Sequence, residues 1–221
     1  QSDRLLIMFF QGPEQVGLYS VGYVISEKTL NFIYMILMLA AFPVIINNYE
    51  EHGDERAQEL ITEITRYFFL VCTPILLILT VLPEYVLRIL SDEKFIAGAQ
   101  VLPIIAVGVF LNGLNQYALK AFELHKKSIR IAQLAITAGI LNIGVNLILI
   151  PQIGYMGAAI SSCFAFAAYF VLTMFFARKE LPFRPPLRSI AKILAGALVV
   201  GTLLKLFSMV FPNLFAVVFL A

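Results

Sequence analysis

The sequence predicts an all-α protein, a polytopic bundle of helices that crosses a membrane several times. Hydrophobic residues make up 60% of the 221 residues and charged residues only 14%, whereas a soluble domain is about 45–50% apolar and about 25% charged. The mean hydropathy is +0.88, and apolar residues occur in long runs between short polar connectors. A soluble chain of this length could not bury so much apolar surface, so we expect lipid to surround it.

The apolar runs have the length of membrane spans. A helix rises about 1.5 Å per residue, so about 20 residues cross a hydrocarbon core of about 30 Å. Partial runs at residues 1–11 and from about 213 flank a set of complete runs. We expect the six complete spans at approximately 16–47, 66–90, 99–122, 129–150, 155–177 and 189–211.

Lysine and arginine are distributed unevenly between alternate connectors. One set of connectors holds ten of them, namely Arg56, Arg66, Lys126, Lys127, Arg130, Arg178, Lys179, Arg184, Arg188 and Lys192. The other set holds Arg88 and Lys94, with Lys205 near a helix end. Basic residues are enriched in cytoplasmic loops. We therefore expect NNYEEHGDER, LHKKSIR and RKELPFRPPLR in the cytoplasm, and QGPEQ, SDEKFIAG and PQIGY outside.

The two ends of the chain lie within apolar sequence. The chain opens on QSDRLLIMFF, without an initiator methionine or the basic region of a signal peptide, and it ends within the apolar run NLFAVVFLA. We expect a fragment of a longer membrane protein.

Charged residues interrupt the second span. A charge at mid-bilayer costs about 2.5–3.5 kcal/mol on insertion scales, so it is expected to face a bundle interior or a hydrated cavity. Glu27 shares one helical face, at steps of three and four residues, with other polar side chains: Ser20, Tyr23, Asn31 and Tyr34. Lys28 is rotated by about 100° from Glu27, so each charge requires its own partner or water.

Similar polar faces recur elsewhere in the chain. The fourth span carries Gly108, Asn112, Asn115, Gln116, Lys120 and Glu123, the fifth carries Gly139, Asn142 and Asn146, and Asp3 and Arg4 open the chain. These faces could line one hydrated cavity. The alternatives are structural: Asn142 and Asn146 could join helices by hydrogen bonds, Lys120 and Glu123 could reach the cytoplasmic interface, and the remaining charges could form ion pairs.

Other kinds of site have no support in the sequence. No metalloprotease, nucleophile-elbow, P-loop or dinucleotide-binding motif stands in a suitable context. The net charge of +2, without a basic tract among aromatics, argues against nucleic acid. Cys72 and Cys163 lie in apolar runs, as packing residues do, and His52 and His125 lie in polar connectors, where we expect them to be solvated. We expect no metal site, catalytic residue or cofactor; a coupling ion, H⁺ or Na⁺, is left open.

Three segments in order along the chain resemble a known family. SDRLLIMFFQGPEQVGLYSVGYVISE resembles the start of the second lobe of prokaryotic polysaccharide and O-antigen flippases, in the multidrug/oligosaccharidyl-lipid/polysaccharide exporter superfamily. AFPVIINNYEE resembles that family's proline near a cytoplasmic helix end, and NLILIPQIGYMGAAISSCFAFAAYF resembles its junction between two later spans. The resemblance covers roughly residues 2–178.

The resemblance implies a fold and a function. Family members have two six-helix lobes around a central cavity, followed by two further helices. Residues 1–178 would then be the second lobe, with its first helix truncated, and 179–221 the additional helices, with the last truncated. The implied function is the flipping of a lipid-linked oligosaccharide, such as a lipopolysaccharide precursor, across the cytoplasmic membrane by alternating access. The implied partners are the lipid diphosphate glycan, membrane lipids and the N-terminal half of the protein.

The resemblance also implies which residues meet the substrate. Cations in the cavity would contact the diphosphate and the sugars, and Arg4, Lys28 and Lys120 are the candidates. The full set of candidate cavity residues is Asp3, Arg4, Tyr23, Glu27, Lys28, Asn31, Asn112, Gln116, Lys120 and Asn142.

Several alternative functions stay open at this point. A lipid II flippase or a multidrug/cation antiporter of the same superfamily would share the architecture, although cavities for cationic drugs tend to be led by acidic residues. A membrane-embedded enzyme of polysaccharide assembly would need an active site on a longer loop than any connector here provides. A purely structural membrane protein would not need charges inside its spans.

Overall fold

The computed structural model describes residues 2–181 and 185–210, with side chains up to residue 206. Within this part of the chain every regular element is helical. The elements are α1 (Ser2–Gln11), α2 (Pro13–His52), α3 (Asp54–Val81), α4 (Pro83–Leu90), a 3-10 helix (Glu93–Gln100), α5 (Val101–Leu124), α6 (Ser128–Ile153), α7 (Tyr155–Ala177) and α8 (Leu187–Val210). The all-α bundle predicted from composition is confirmed.

Six helical segments of the described chain are long and apolar enough to cross a membrane, as the sequence predicted. The predicted third span, 66–90, is wrong at its outer end, because α3 stops at Val81 and Pro83 starts a separate short helix. Proline lacks an N–H to donate to the preceding turn, and its fixed φ suits the first position of a new helix. The predicted partial span from about 213 lies outside the described residues.

Helix α5 occupies the centre of the bundle. It packs against α2, α3 and α7, while α6 packs against α7 and α1, and α8 packs against α3. An aromatic cluster joins α3 to α5, with the Phe68 ring centroid 5.1 Å from that of Phe110 and 5.3 Å from that of Tyr117. Tyr34 of α2 meets Tyr117 edge to face at 5.8 Å. These contacts fix α2, α3 and α5 relative to one another.

Small residues let α6 and α7 approach closely. A Cβ added to Gly157 would lie 2.5 Å from the backbone oxygen of Leu149, and Ser161 Oγ donates a hydrogen bond to the backbone oxygen of Asn142 at 2.9 Å. Close backbone approach through small residues, with a hydroxyl bonded across the interface, is typical of helix packing in membranes. The α6–α7 pair therefore places Asn142 at a fixed distance from α7.

The connectors meet in two groups, one at each end of the bundle. At one end, the backbone N–H of Tyr155 donates to Gln11 Oε1 at 2.9 Å, and the Tyr155 hydroxyl donates to the backbone oxygen of Ala97 at 3.4 Å. At the other end, His125 Nε2 lies 3.2 Å from Asp54 Oδ1. Connectors predicted to face the same side of the membrane thus lie together, which supports the predicted number of spans.

The prediction that His125 is a solvated connector residue is wrong. Its ring is half-buried, with Nδ1 2.8 Å from the backbone oxygen of Ala121, Nε2 facing Asp54, and the ring centroid 5.8 Å from that of Tyr49. It joins the α5–α6 connector to the end of α2 and the start of α3. His52 is exposed, as predicted.

We predict that the two groups of connectors lie on opposite sides of the membrane. In a chain with Cys72→Ala and Cys163→Ala, a membrane-impermeant thiol reagent added to intact cells should label Lys94→Cys and spare Glu51→Cys. Both positions are exposed in the folded chain, at 68% and 72% of the side-chain surface. Permeabilised cells should show labelling of both, and the reverse pattern in intact cells would contradict the orientation.

We predict that Gly157→Ala destabilises the α6–α7 pair by about 1–3 kcal/mol, because the added methyl overlaps backbone that cannot move independently. Gly144→Ala is the matched control, since nothing lies within 4 Å of its added Cβ. Thermal unfolding of the purified variants in detergent measures the difference. Equal midpoints for the two variants would contradict the close approach.

Candidate functional site

The carboxylate of Asp3 lies at the centre of a polar cluster built from four helices. Asp3 is on α1 and only 8% exposed. Its Oδ2 accepts hydrogen bonds from the Tyr19 hydroxyl of α2 at 3.1 Å and the Ser162 hydroxyl of α7 at 3.0 Å. Its Oδ1 accepts one from Asn146 Nδ2 of α6 at 2.6 Å. A single buried carboxylate therefore holds α1, α2, α6 and α7 together.

A second layer of amide and hydroxyl groups surrounds the cluster. Asn142, one turn before Asn146 on α6, accepts at its Oδ1 from Asn146 Nδ2 at 3.1 Å and from Ser2 Oγ at 3.4 Å. The Oδ1 of Asn146 is buried and has no hydrogen-bond partner within the described structure. A buried acceptor without a donor is uncommon and requires a reason. Here it lies on the amide that also bonds Asp3.

A small charged pocket lies beside the cluster, on the side of α1 and α2. It has a volume of about 180 Å³ and is lined by Asp3, Arg4, Tyr19, Tyr23 and Glu27. The Arg4 guanidinium carbon lies 5.7 Å from the Tyr23 ring centroid, within the range of a cation–π contact. The structure thus brings four of the sequence-predicted residues, Asp3, Arg4, Tyr23 and Glu27, to one pocket.

Lys28 and Asn31 line a separate groove on α2. This groove has a volume of about 610 Å³, and its described lining comes from α2, including Glu27, Lys28 and Asn31. Lys28 is exposed on this surface, whereas Glu27 also reaches the charged pocket. Glu27 therefore connects the groove to the pocket around Arg4.

Asn112 and Asn142 line a third cavity, inside the bundle. This cavity, of about 290 Å³, lies among α1, α2, α5, α6 and α7, and Asp3 and Tyr23 also border it. Asp3 and Tyr23 thus stand between the charged pocket and the inner cavity. Gln116, one turn further along α5 than Asn112, is half-buried and borders neither space.

Lys120 lies apart from the other candidates. It is 6% exposed, its Nζ donates to Glu123 Oε2 at 2.6 Å, and it sits 4.2 Å from the ring centroid of Phe42. The structure pairs Lys120 and Glu123 within α5, near the end expected to face the cytoplasm, and covers the ammonium with an α2 ring. Lys120 borders none of the three spaces described above, and its buried ammonium does not reach the interface as the alternative for this pair expected.

Sequence reasoning missed two residues that hold Asp3, namely Tyr19 and Ser162. Tyr19 lies one turn before Tyr23 on α2, which is a helical-spacing signal that could have included it. Ser162 follows Ser161 in an apolar helix, and nothing in its local sequence separates it from a packing serine. Asn146 was assigned to the right helical face but not to the site.

The cluster can bind a small positive species. Carboxylate, amide and hydroxyl oxygens are the donors that hard cations prefer, and an intramembrane carboxylate can also take up a proton. Either would have to displace one of the three donors from which Asp3 already accepts, because the Nδ2 of Asn146, and not its unpaired Oδ1, faces the carboxylate. The described residues contain no group of three or more His, Cys, Asp or Glu side chains that could hold a metal ion.

Two comparisons relate the sequence of this chain to known proteins. The family model for the lipid II flippase MurJ matches residues 14–221. An uncharacterised membrane protein of Methanocaldococcus jannaschii is 21% identical over 180 residues, which is 81% of this chain and 35% of the relative. The chain therefore spans about a third of that relative's length.

The family match corrects the kind of flippase that the sequence was expected to encode. Both readings lie within one exporter superfamily, but the match is to lipid II flippases rather than to O-antigen or other polysaccharide flippases. Lipid II flippase was the alternative, and it is the reading that the match supports. With its polytopic helical fold and its intramembrane charges, the chain belongs to the lipid II flippase family.

Proposed function

We propose that this chain is part of a transporter that flips a lipid-linked diphosphate glycan of the lipid II class across the cytoplasmic membrane. The observation that carries the proposal is the placement of Arg4, Glu27 and Lys28. These charges lie inside apolar helices, yet they border a pocket and an open groove rather than the packed core. Transport by alternating access needs such a polar surface at mid-membrane, and it needs no catalytic step.

The cations would recognise the diphosphate. Lysine presents a compact charge suited to phosphate, and arginine presents a planar fork that binds phosphate oxygens in pairs. The Arg4 guanidinium makes a cation–π contact with Tyr23 and borders the pocket, and Lys28 is exposed in the groove. The two spaces that these cations border have Glu27 in common.

The rest of the transporter would complete the cavity. We infer that residues 1–178 form the second lobe and that 179–221 contribute the two additional helices. Two observations support this division: the described lining of the groove around Lys28 comes from α2 alone, and α8 packs against α3. The N-terminal half of the protein would supply the opposite wall.

Asp3 would couple transport to a proton or cation. Binding of either would neutralise the carboxylate and change its hydrogen bonds to three other helices. A ligand shifts a conformational equilibrium only by its differential affinity for the two states. The carboxylate of Asp3 is bonded to α2, α6 and α7. If these helices move apart in one state, the carboxylate loses hydrogen bonds there, so its affinity for a proton or cation differs between the two states.

We predict that the two cations act through charge. Lys28→Arg and Arg4→Lys should retain part of the transport activity, whereas Lys28→Met and Arg4→Met should lower it about ten-fold or more, the effect of losing about 1.4 kcal/mol of binding. Rescue of a flippase-depleted strain and translocation of labelled lipid II in vesicles measure the activity, at equal membrane abundance. Full activity of both methionine variants would contradict the assignment.

A double variant separates substrate binding from a structural ion pair. If Lys28 only neutralises Glu27, then Glu27→Gln combined with Lys28→Met should restore the transport lost in Lys28→Met. We expect no restoration, because the diphosphate would still lack its cation. Restored transport at normal abundance would assign Lys28 to structure.

We predict that Asp3→Asn removes the dependence of transport on pH or Na⁺ while leaving the fold intact. The amide has the shape of the carboxylate and can still accept from Tyr19 and Ser162 at one atom, while a turned-over Asn146 amide accepts from its NH2 group at the other. The amide cannot bind a proton. Transport in vesicles is measured across pH and with Na⁺ or K⁺. Ser161→Ala, which loses a hydrogen bond to the Asn142 backbone only, should keep the wild-type dependence. An unchanged dependence in Asp3→Asn would exclude Asp3 as the coupling site.

A further inference from the structure

At the end of the bundle expected to face the cytoplasm, acidic and basic residues are unevenly distributed among the chain segments. Residues 50–66, which end α2 and begin α3, contain six acidic residues, Glu50, Glu51, Asp54, Glu55, Glu59 and Glu63, and two basic ones, Arg56 and Arg66. Arg56 is further neutralised by Glu59, with Nη1 2.6 Å from Oε2. The start of α8, which carries Arg188 and Lys192, lies against this segment, so positive charge is also present on this side.

The start of α6 and the end of α7 form a basic surface, which we call the α6/α7 corner. It consists of five exposed basic residues, Lys126, Lys127, Arg130, Arg178 and Lys179. The two helices pack against each other along their length, so both groups of cations lie at one corner of the bundle. Residues 126–130 and 178–180 contain a single acidic residue, Glu180.

Glu180 neutralises one of these cations. Its carboxylate accepts a hydrogen bond from Lys127 Nζ, and this bond, with the charges of Lys127, His125 and Arg130, lowers the pKa of Glu180 from its usual value. Glu180 is therefore ionised at neutral pH and neutralises the charge of Lys127. The remaining four cations of the corner are available to an anion.

Aromatic rings hold two of the arginines at this corner. The guanidinium carbon of Arg178 lies 4.3 Å from the Phe175 ring centroid, and that of Arg130 lies 6.0 Å from the Phe176 ring centroid. A guanidinium on a ring keeps its N–H groups directed outward, and its position is restricted before any ligand binds. The corner is thus more ordered than a set of free lysines.

The corner lies at the end of two exposed apolar stripes. Large apolar side chains are exposed along one face of α6, at Ile129, Ile136, Ile140, Ile143 and Leu147, and along one face of α7, at Ile160, Phe164, Val171 and Phe175. Their spacing of three, four or seven residues keeps them on one side of each helix. Such faces contact lipid chains, so the cations at their cytoplasmic ends lie at the depth of lipid phosphates.

We propose that the α6/α7 corner binds the phosphate groups of anionic phospholipids in the cytoplasmic leaflet, with the lipid chains along the α6 and α7 stripes. Basic pockets between membrane helices on this side of a bilayer attract such headgroups. Segment 50–66, in which acidic residues outnumber basic ones, offers no such site.

The intact transporter, reconstituted in phosphatidylcholine vesicles, tests this with two photoactivatable lipids that differ in headgroup alone. One carries phosphatidylglycerol and the other phosphatidylcholine. We expect phosphatidylglycerol to label peptides 126–136 and 171–180 more than phosphatidylcholine does, and to show no preference for peptides 50–66. Each cation contributes up to about five-fold to the preference, and raising the ionic strength should reduce it.

Matched variants assign the preference to the corner. The quadruple change Lys126→Gln, Arg130→Gln, Arg178→Gln and Lys179→Gln should abolish it and retain labelling by phosphatidylcholine. Arg56→Gln in segment 50–66 and Arg88→Gln at the opposite end should leave it unchanged. Arg130→Lys with Arg178→Lys preserves charge and should retain most of the preference, even if the quadruple variant is unstable. Equal labelling by the two lipids in the wild type would overturn the proposal, and so would a preference for phosphatidylglycerol that does not change with ionic strength.

Discussion

The position of four helices depends on one buried carboxylate. Asp3 accepts hydrogen bonds from Tyr19, Ser162 and Asn146, which belong to three other helices. A charge removed from water is costly unless it is fully hydrogen-bonded, so these helices cannot shift without weakening the site. Packing of small residues between α6 and α7 then brings Ser162 and Asn146 together.

The sequence predicted the helices well because the bilayer fixes their length. It failed at Pro83, which ends one helix and begins another, because the same residue type lies inside other long helices at Pro43 and Pro74. In a membrane the freed backbone groups can be satisfied by neighbouring helices, so a proline permits a break without requiring it. Which outcome occurs depends on tertiary packing, which no local pattern records.

The candidate site was predicted where charge made it visible. Arg4 and Glu27 stand out because charges are rare in apolar helices, and the structure places both at one pocket. Ser162 was invisible because a serine hydroxyl in an apolar helix can bond within its own helix, as Ser26 does to the carbonyl of Gly22 at 3.0 Å. Only the fold distinguishes a hydroxyl that serves its own helix from one that holds a carboxylate on another.

The length of α2 has a mechanical consequence. Its 40 residues span about 60 Å, roughly twice the hydrocarbon thickness. Tyr19 bonds Asp3 near one end, and Tyr49 packs on His125 near the other. A helix of this length is stiff, so a tilt that breaks one of these two contacts also moves the other. The helix can bend at Pro43, which separates a long N-terminal part containing Tyr19 from a short C-terminal part containing Tyr49. The stiffness of the helix at Pro43 therefore determines how far a movement at Asp3 is transmitted to the cytoplasmic end of the helix.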